Sequence, residues 1–254
     1  MKFAQSTILN VTFDNITQAE LLENLTHGVV VTPNIDHLMK LQKDKSFYSC
    51  YQQADYTVCD SRIIFALSGL LSRQNALKAQ ITGSDFFPAF CNHHKDNQST
   101  TIFLLGGTET SVLQAQENVN KRVSREIVVG AYSPPFGFES NEEENNKIIR
   151  LINESQASVL AIGVGAPKQE KWLFEHKDAL PNIKIHLAIG ATIEFEAGNL
   201  KRAPKWMTKS GTEWVYRMFQ EPKRLIRRYL LEDMPFFLLI LKQKIGVYQN
   251  PWGK

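Results

Sequence analysis

Short apolar runs alternate with longer amphipathic stretches over the first 190 residues. The runs with a strand-like pattern are 29–31, 56–59, 101–105, 127–129, 158–162 and 183–189. Most of them precede a stretch with helical periodicity. Strand–helix alternation at this spacing predicts an α/β fold with a Rossmann-like, mostly parallel sheet and helices on both faces. Ligands of such sheets bind at the carboxyl ends of the strands, so we expect the functional residues there.

The alternation stops after Gly198, and the charge changes with it. Residues 201–254 contain 12 Lys and Arg against 4 Asp and Glu, whereas the preceding part is net acidic. A basic region of this kind binds anions such as a membrane surface, a nucleic acid or a phosphorylated ligand. Its aromatic residues have the spacing of amphipathic helices. We therefore predict an α/β catalytic domain over 1–198 and a basic, aromatic-rich helical appendage over 199–254.

Composition and cysteine content indicate a cytoplasmic protein. Hydrophobic residues make up 43% of the chain and charged residues 22%, as in ordinary soluble globular proteins. The three cysteines are an odd number without metal-site spacing, which favours a reducing compartment. The N-terminus lacks the apolar stretch of a signal peptide. The apolar run 234–241 is too short to span a bilayer, so it either lies in a membrane interface or packs on the body.

The turn at 163–170 is a candidate phosphate site. Gly163 and Gly165 allow a sharp turn after an apolar strand, and Pro167 suits the first position of the following helix. A helix N-terminus favours phosphate through its free N–H groups, and Lys168 adds a positive charge. An ordinary strand-to-helix turn is the alternative. Lys168 occupies the place of the third glycine of a dinucleotide fingerprint, and the P-loop pattern is absent as well.

Polar residues follow two other predicted strands. Asp60 comes at a strand end, where a carboxylate can act as a general base. A helix N-cap is the alternative for Asp60, because Asp is favoured at that position. Thr32 and Asn34 flank a proline at another strand end, and their alternative is a plain turn with a cap for the next helix.

Further turns could contact a nucleotide. Gly83 and Asp85 precede an aromatic helix start, and Gly106 and Gly107 follow a strand. The alternatives are an N-cap for the first pair and a simple strand-to-helix turn for the second. The chain has no Asp-x-Asp pair, so the metal–nucleotide clamp of many sugar transferases is missing. Cationic side chains and helix ends would then have to stabilise a leaving diphosphate.

Three arginines of the basic region have helical spacing. Arg217, Arg224 and Arg227 would share one face of a continuous helix, although Pro222 interrupts it. Arginine can bind phosphate oxygens in a bidentate fork. A solvated basic face is the alternative, but the tryptophan and tyrosine residues nearby favour a membrane interface.

Taken together, these motifs resemble the WecG/TagA/CpsF glycosyltransferases, glycosyltransferase family 26. The resemblance runs from about Thr32 to Tyr229. Its most specific motifs, in this order, are Pro167-Lys168-Gln169-Glu170, Arg202-Ala203-Pro204 and Glu213-Trp214-Val215-Tyr216-Arg217. Thr32-Pro33-Asn34, Asp60, Gly83-Ser84-Asp85, Gly106-Gly107 and Gly190 to Gly198 also contribute to it.

The resemblance implies an inverting, metal-independent enzyme without a cofactor. It would transfer a sugar from a UDP-sugar to a polyprenyl-diphosphate-linked saccharide at the inner face of the plasma membrane, where it would be peripheral. The implied catalytic residues are Asp60 as general base, with Thr32, Asn34 and Gln169 in the same pocket. The implied nucleotide-sugar ligands are Gly83, Asp85, Gly106, Gly107, Gly163, Gly165, Lys168 and Glu194. Arg202, Arg217, Arg224 and Arg227 would contact the acceptor diphosphate or the membrane.

The implied partners are the UDP-sugar donor, the lipid-linked acceptor and an anionic membrane surface, without nucleic acid. A homo-oligomer is left open. Two departures from the family pattern suggest a different donor sugar: Ser61 stands where many members have glycine, and Ala191 and Glu194 replace a common Gly and Asp. Two other functions remain as alternatives, a soluble enzyme that modifies nucleotide sugars and a non-catalytic, membrane-associated scaffold that binds them.

Overall fold

The centre of the fold is a six-stranded parallel sheet with strand order β4-β3-β8-β7-β5-β6, beside a two-stranded antiparallel hairpin β1–β2. A computed structural model describes residues 3–74, 76–204, 207, 213–220, 227 and 232–253, without the side chains of 213, 214, 217 and 220. Its strands are β1 Gln5–Ile8, β2 Val11–Asp14, β3 Gly28–Val31, β4 Tyr56–Thr57, β5 Ile102–Gly106, β6 Val128–Tyr132, β7 Val159–Gly163 and β8 Ile185–Ala188.

Helices connect the strands and cover both faces of the sheet. Between residues 18 and 123 they are α1 Gln18–Asn24, α2 Ile35–Leu41, α3 Lys45–Gln53, α4 Arg62–Leu71, α5 Gly83–His93 and α6 Glu109–Val123. The later ones are α7 Glu142–Glu154, α8 Lys168–His176, α9 Thr192–Ala197, α10 Glu213–Gln220 and α11 Pro235–Lys244. The predicted Rossmann-like α/β fold with a parallel sheet is confirmed.

Two hydrophobic cores lie on opposite faces of the sheet, because successive strand side chains point to opposite sides. On β3, Val29 and Val31 belong to one core and Val30 to the other. On β7, Leu160 and Ile162 pack in the first core, which also contains Trp172 of α8. Strands buried on both faces read as continuous apolar runs, which is why the sequence identified the central strands.

Some elements differ from the prediction. The structure contains the hairpin β1–β2, which was not among the strands predicted from the sequence. The predicted strand at 56–59 is shorter in the structure, since only Tyr56 and Thr57 pair with β3 at the edge of the sheet. The helix after β7 begins at Lys168 with Pro167 as its N-cap, one residue later than predicted.

The last helix packs on the body with one face only. Phe236 and Ile240 of α11 are buried in the core beside α2 and α4. The residues after the helix are fixed too, because Trp252 Nε1 donates to the carbonyl oxygen of Leu41 over 2.7 Å. The opposite face of α11 is exposed. The packing alternative for the run 234–241 is therefore confirmed for one face, and the membrane-interface alternative stays a prediction for the exposed face.

Within the described ranges, no helix is both long enough and apolar enough to cross a bilayer.

Candidate active site

A pocket of about 460 Å³ opens at the carboxyl ends of β3, β4, β7 and β8. Seven of the predicted site residues line it: Thr32, Asn34, Asp60, Gly83, Gly165, Gln169 and Arg227. They are far apart in sequence. The parallel sheet brings Thr32, Asn34, Asp60, Gly165 and Gln169 together because its strand ends share one edge.

Asp60 lines the pocket and does not cap the next helix. The N-cap of α4 is Ser61, whose side chain accepts a hydrogen bond from the N–H of Ile64. The backbone of Asp60 is fixed on both sides: its N–H donates to the carbonyl oxygen of Pro33 over 3.2 Å, and its own carbonyl accepts from Gln80 Nε2 over 2.7 Å. The cap alternative for Asp60 is therefore wrong, and this half-buried residue lines the pocket.

Asn34 has a structural role and also lines the pocket. Its Oδ1 accepts a hydrogen bond from the N–H of His37 over 3.3 Å, which makes Asn34 the N-cap of α2. The cap alternative is thus confirmed for Asn34 without removing it from the site. Thr32 Oγ1 lies 3.4 Å from the carbonyl oxygen of Ala188, at the end of the neighbouring strand β8.

Three pocket residues from α2 were missed by the sequence analysis: Asp36, His37 and Lys40. Lys40 Nζ lies 2.8 Å from Asp36 Oδ2 and 3.1 Å from the carbonyl oxygen of Ala166. Asp36 and Lys40 are four residues apart on a helix, a spacing that places side chains on the same face. This spacing, beginning two residues after Asn34, was the available signal.

Gln169 spans two turns at the back of the pocket. Its Oε1 accepts from the N–H of Gly190 over 3.2 Å, and its Nε2 donates to Glu170 Oε1 over 2.8 Å. Glu170 is fully buried, and this burial raises its pKa to about 7. Gln169 thus connects the turn after β7 with the turn after β8.

Glycines at the strand ends allow close approach of the backbones. A Cβ on Gly106 would lie 2.5 Å from the carbonyl oxygen of Gly163, and a Cβ on Gly163 would lie 2.5 Å from that of Gly190. Gly165 has a positive φ of +86° and no neighbour within 4 Å of a Cβ position. Packing therefore requires the first two glycines, while Gly165 serves the turn and lines the pocket.

Glu194 lies next to Gly107 and outside the pocket lining. Its Oε2 accepts hydrogen bonds from Ser111 Oγ and from Asn199 Nδ2, each over 2.9 Å. A Cβ on Gly107 would lie 3.3 Å from Glu194 Oε1. The carboxylate is thus fixed beside the Gly106-Gly107 turn, at the ends of β5 and β7.

Lys168 points away from the pocket. Its Nζ lies 3.0 Å from Glu139 Oε1 and 4.3 Å from the centroid of the Phe136 ring. Phe136 belongs to the loop between β6 and α7 and is almost fully exposed. Lys168 and Phe136 therefore border the ends of β6 and β7, beside the glycine turns.

Arg202 joins the start of the predicted appendage to α5. Thr82 is the N-cap of this helix, so neither Gly83 nor Asp85 caps it. Arg202 makes an ion pair with Asp85 and donates to the carbonyl oxygen of Ser84, a residue of the pocket wall. The guanidinium group of Arg202 is thus next to the pocket but outside its lining.

Arg227 lines the pocket, and its Nε lies 3.4 Å from Glu232 Oε1. Arg224 and the side chain of Arg217 lie outside the described residues. Among the side chains that the structure describes, no group of three His, Cys, Asp or Glu residues could hold a metal ion.

Comparison with known proteins identifies the family. The model of the glycosyl transferase WecG/TagA/CpsF family matches residues 6–250, nearly the whole chain. The chain belongs to this family. The WecG/TagA/CpsF protein described here is therefore a glycosyltransferase, and the resemblance drawn from its motifs is confirmed.

Two curated relatives of this WecG/TagA/CpsF glycosyltransferase are proteins of Staphylococcus aureus. The proteins of strains MW2 and NCTC 8325 / PS 47 are each 27% identical over 249 residues, which cover 92% of this chain and 91% of theirs. Both are named N-acetylglucosaminyldiphosphoundecaprenol N-acetyl-beta-D-mannosaminyltransferase. By this name, these relatives transfer a sugar to a polyprenyl-diphosphate-linked acceptor.

Proposed function

We propose that this protein is an inverting, metal-independent glycosyltransferase that moves a sugar from a UDP-sugar to a polyprenyl-diphosphate-linked saccharide in cell-envelope or exopolysaccharide synthesis. The observation that carries the proposal is the position of Asp60. Asp60 lines a polar pocket, while Ser61 supplies the cap that the helix needs. A carboxylate in such a place can serve as a base for an acceptor hydroxyl.

The reaction is a single displacement. Asp60 removes the proton of the acceptor hydroxyl, whose oxygen attacks the anomeric carbon from the face opposite the diphosphate. The new C–O bond forms as the bond to UDP breaks, and UDP leaves with the bonding electrons. Cationic groups stabilise the charge that develops on the leaving group. Arg227 and Lys40, which both line the pocket, are the described side chains suited to this role.

The proposed acceptor follows from the names of the relatives, which act on N-acetylglucosaminyldiphosphoundecaprenol. Their donor group, N-acetylmannosamine, is the first to test here, although Ala191 and Glu194 depart from the family pattern. Incubation with several UDP-sugars and a short-chain polyprenyl-diphosphate N-acetylglucosamine should yield the acceptor extended by one sugar in mass spectrometry. A changed UDP-sugar without an extended acceptor would favour the nucleotide-sugar-modifying alternative, and no product with any donor would favour the scaffold.

Chelation should leave the transfer rate unchanged. The chain has no Asp-x-Asp pair to clamp a metal–diphosphate complex, so cationic side chains and helix ends must supply the stabilisation. The initial rate is measured with excess EDTA and again after magnesium or manganese is added. Loss of activity with EDTA and its return with either metal would contradict metal independence.

We further propose that the protein binds peripherally to the inner face of the plasma membrane through the exposed face of α11. Leu238 and Leu241 are each 57% exposed on this face, and Ile245 follows them at 64%. Lys242 lies beside them on the same face and would meet anionic headgroups. The helix begins three residues after Glu232 of the pocket wall, so its N-terminal end lies close to the pocket.

Sedimentation with anionic vesicles tests this surface. We expect binding that weakens in high salt, because attraction between basic residues and anionic lipid is worth about 1 kcal/mol per residue and is screened. Replacing Leu238 and Leu241 together by Glu should abolish sedimentation. Leu113→Glu, at a comparably exposed leucine on α6, is the matched control and should bind normally. Equal binding by the α11 double variant and the wild type would refute the assignment of this face.

The division into a domain at 1–198 and an appendage at 199–254 belongs to the same proposal. Arg227 in the pocket and Arg202 beside it support an appendage that helps to complete the site. Arg217 and Arg224 are proposed to act with them on the diphosphate or the lipid. Because Phe236 and Ile240 belong to the core, single substitutions of the arginines test this role better than truncation does.

A further inference from the structure

Glu170 is the most completely buried charged residue of the described chain, yet the reaction does not use it directly. Its side chain is fully buried and does not line the pocket. Its Oε1 accepts from Gln169 Nε2 over 2.8 Å, and no described residue donates to its Oε2. Burying a carboxyl group with an unsatisfied oxygen is costly, and such a cost calls for a compensating role.

The contact between Gln169 and Glu170 fixes the orientation of an amide. The backbone N–H of Gly190 can only donate, so it selects the oxygen end of the Gln169 side chain. The Glu170 carboxylate accepts and selects the nitrogen end. A flipped amide would place donor against donor at Gly190 and acceptor against acceptor at Glu170. The two partners therefore permit a single orientation, which leaves the second amide N–H available in a pocket-lining residue.

We propose that Glu170 is a positioning residue that holds the Gln169 amide so that its second N–H is presented to the donor sugar-diphosphate. The chemical class of the ligand, a nucleoside diphosphate-linked sugar, rests on the proposed function. A preorganised donor of this kind is most effective when it does not have to reorient during the reaction.

The surroundings of Glu170 keep the carboxyl group in place. From α2, His37 Nδ1 lies 3.9 Å from Oε1, and Lys40 and Asp36 act on the carboxyl group electrostatically. From α3, Tyr51 and Cys50 are its titratable neighbours. The Tyr51 hydroxyl is 2.7 Å from His37 Nδ1, which fixes the imidazole beside Glu170. The buried network thus supports Glu170 from two helices.

The test compares Glu170→Met, Glu170→Gln and Gln169→Ala at pH 8, where the carboxylate form prevails. Glu170→Met removes the acceptor at similar volume and should lower kcat/KM for the donor by about 10- to 100-fold. Glu170→Gln keeps an acceptor oxygen and should retain most of the wild-type kcat/KM. The double variant Gln169→Ala/Glu170→Met should equal Gln169→Ala alone, because Glu170 acts only through Gln169. Two results would overturn the proposal. One is a double variant whose loss of kcat/KM is the product of the losses of the two single variants. The other is a kcat/KM of Glu170→Met within about twofold of wild type.

Asn145→Ala is the matched control for general loosening of α8. Asn145 Oδ1 accepts the Trp172 Nε1 hydrogen bond on this helix over 2.8 Å and does not contact Gln169. This variant should lose stability but keep its donor kcat/KM. Glu170→Gln should be no less stable than wild type at pH 8. The folded pKa of Glu170 lies above its unfolded value of 4.5, so ionisation lowers stability as the pH rises to about 7, and the variant lacks this penalty.

A second readout does not depend on activity. The side-chain amide signals of Gln169, identified by their absence in Gln169→Ala, are followed by NMR. We expect them to shift and to exchange faster with solvent in Glu170→Met but not in Asn145→Ala. Unchanged signals in Glu170→Met would overturn the positioning role. If the wild-type protein transfers no sugar while Glu170→Met still shows the expected NMR change, the result counts against the proposed function and supports the positioning role.

Discussion

Replacing Asp60 by Asn should lower turnover about 100-fold or more while the protein remains folded. The substitution keeps the size of the side chain and removes its basicity. The backbone contacts of Asp60 with Pro33 and Gln80 do not involve the carboxylate, so they should persist. Turnover is measured with a short-chain acceptor, and folding is monitored by thermal unfolding.

Ser61→Ala is the matched control for Asp60→Asn. It removes the N-cap of α4 next to Asp60 and should cost about 1 kcal/mol of stability. Its turnover should stay close to the wild-type value, because the cap does not touch the substrate. If the Asn variant turned over as fast as the wild type, Asp60 could not be the base.

Replacing Gly106 by Ala should destabilise the fold by about 2–5 kcal/mol. Gly106 has a φ of +131°, and a Cβ would lie 2.5 Å from the carbonyl oxygen of Gly163 on the neighbouring strand. Backbone strain and overlap would therefore add. Urea denaturation measures the loss as a lower transition midpoint at an unchanged slope.

Gly137→Ala separates the two causes. Gly137 also has a positive φ, +83°, but a Cβ there would have no neighbour within 4 Å. Strain alone should cost about 1–2 kcal/mol. Equal losses in the two variants would mean that the close approach of β5 and β7 does not require glycine at position 106.

The sequence predicted the central sheet and much of the pocket because both depend on local patterns. Strands buried on both sides are continuous apolar runs, and the helix after β7 shows its start through Pro167 and Lys168. Since the ends of parallel strands meet at one edge, Thr32, Asn34, Asp60 and Gln169 could be placed together before their contacts were known.

Long-range packing decided what the sequence could not. Ser61 and Asp60 are both good caps, and only the fold determines that Ser61 takes this role. The strand-end glycines looked like nucleotide ligands, but Gly106 and Gly163 are also required by neighbouring backbones. The burial of Glu170 and the single packed face of α11 depend on elements distant in sequence.

The anomeric configuration of the product tests the central claim most directly. A single displacement with Asp60 as base requires the acceptor oxygen to attack opposite the UDP leaving group, which inverts the anomeric carbon. NMR of the purified extended acceptor should therefore show the configuration opposite to that of the UDP-sugar donor. A product with the donor's configuration would contradict a single displacement and with it the role of Asp60.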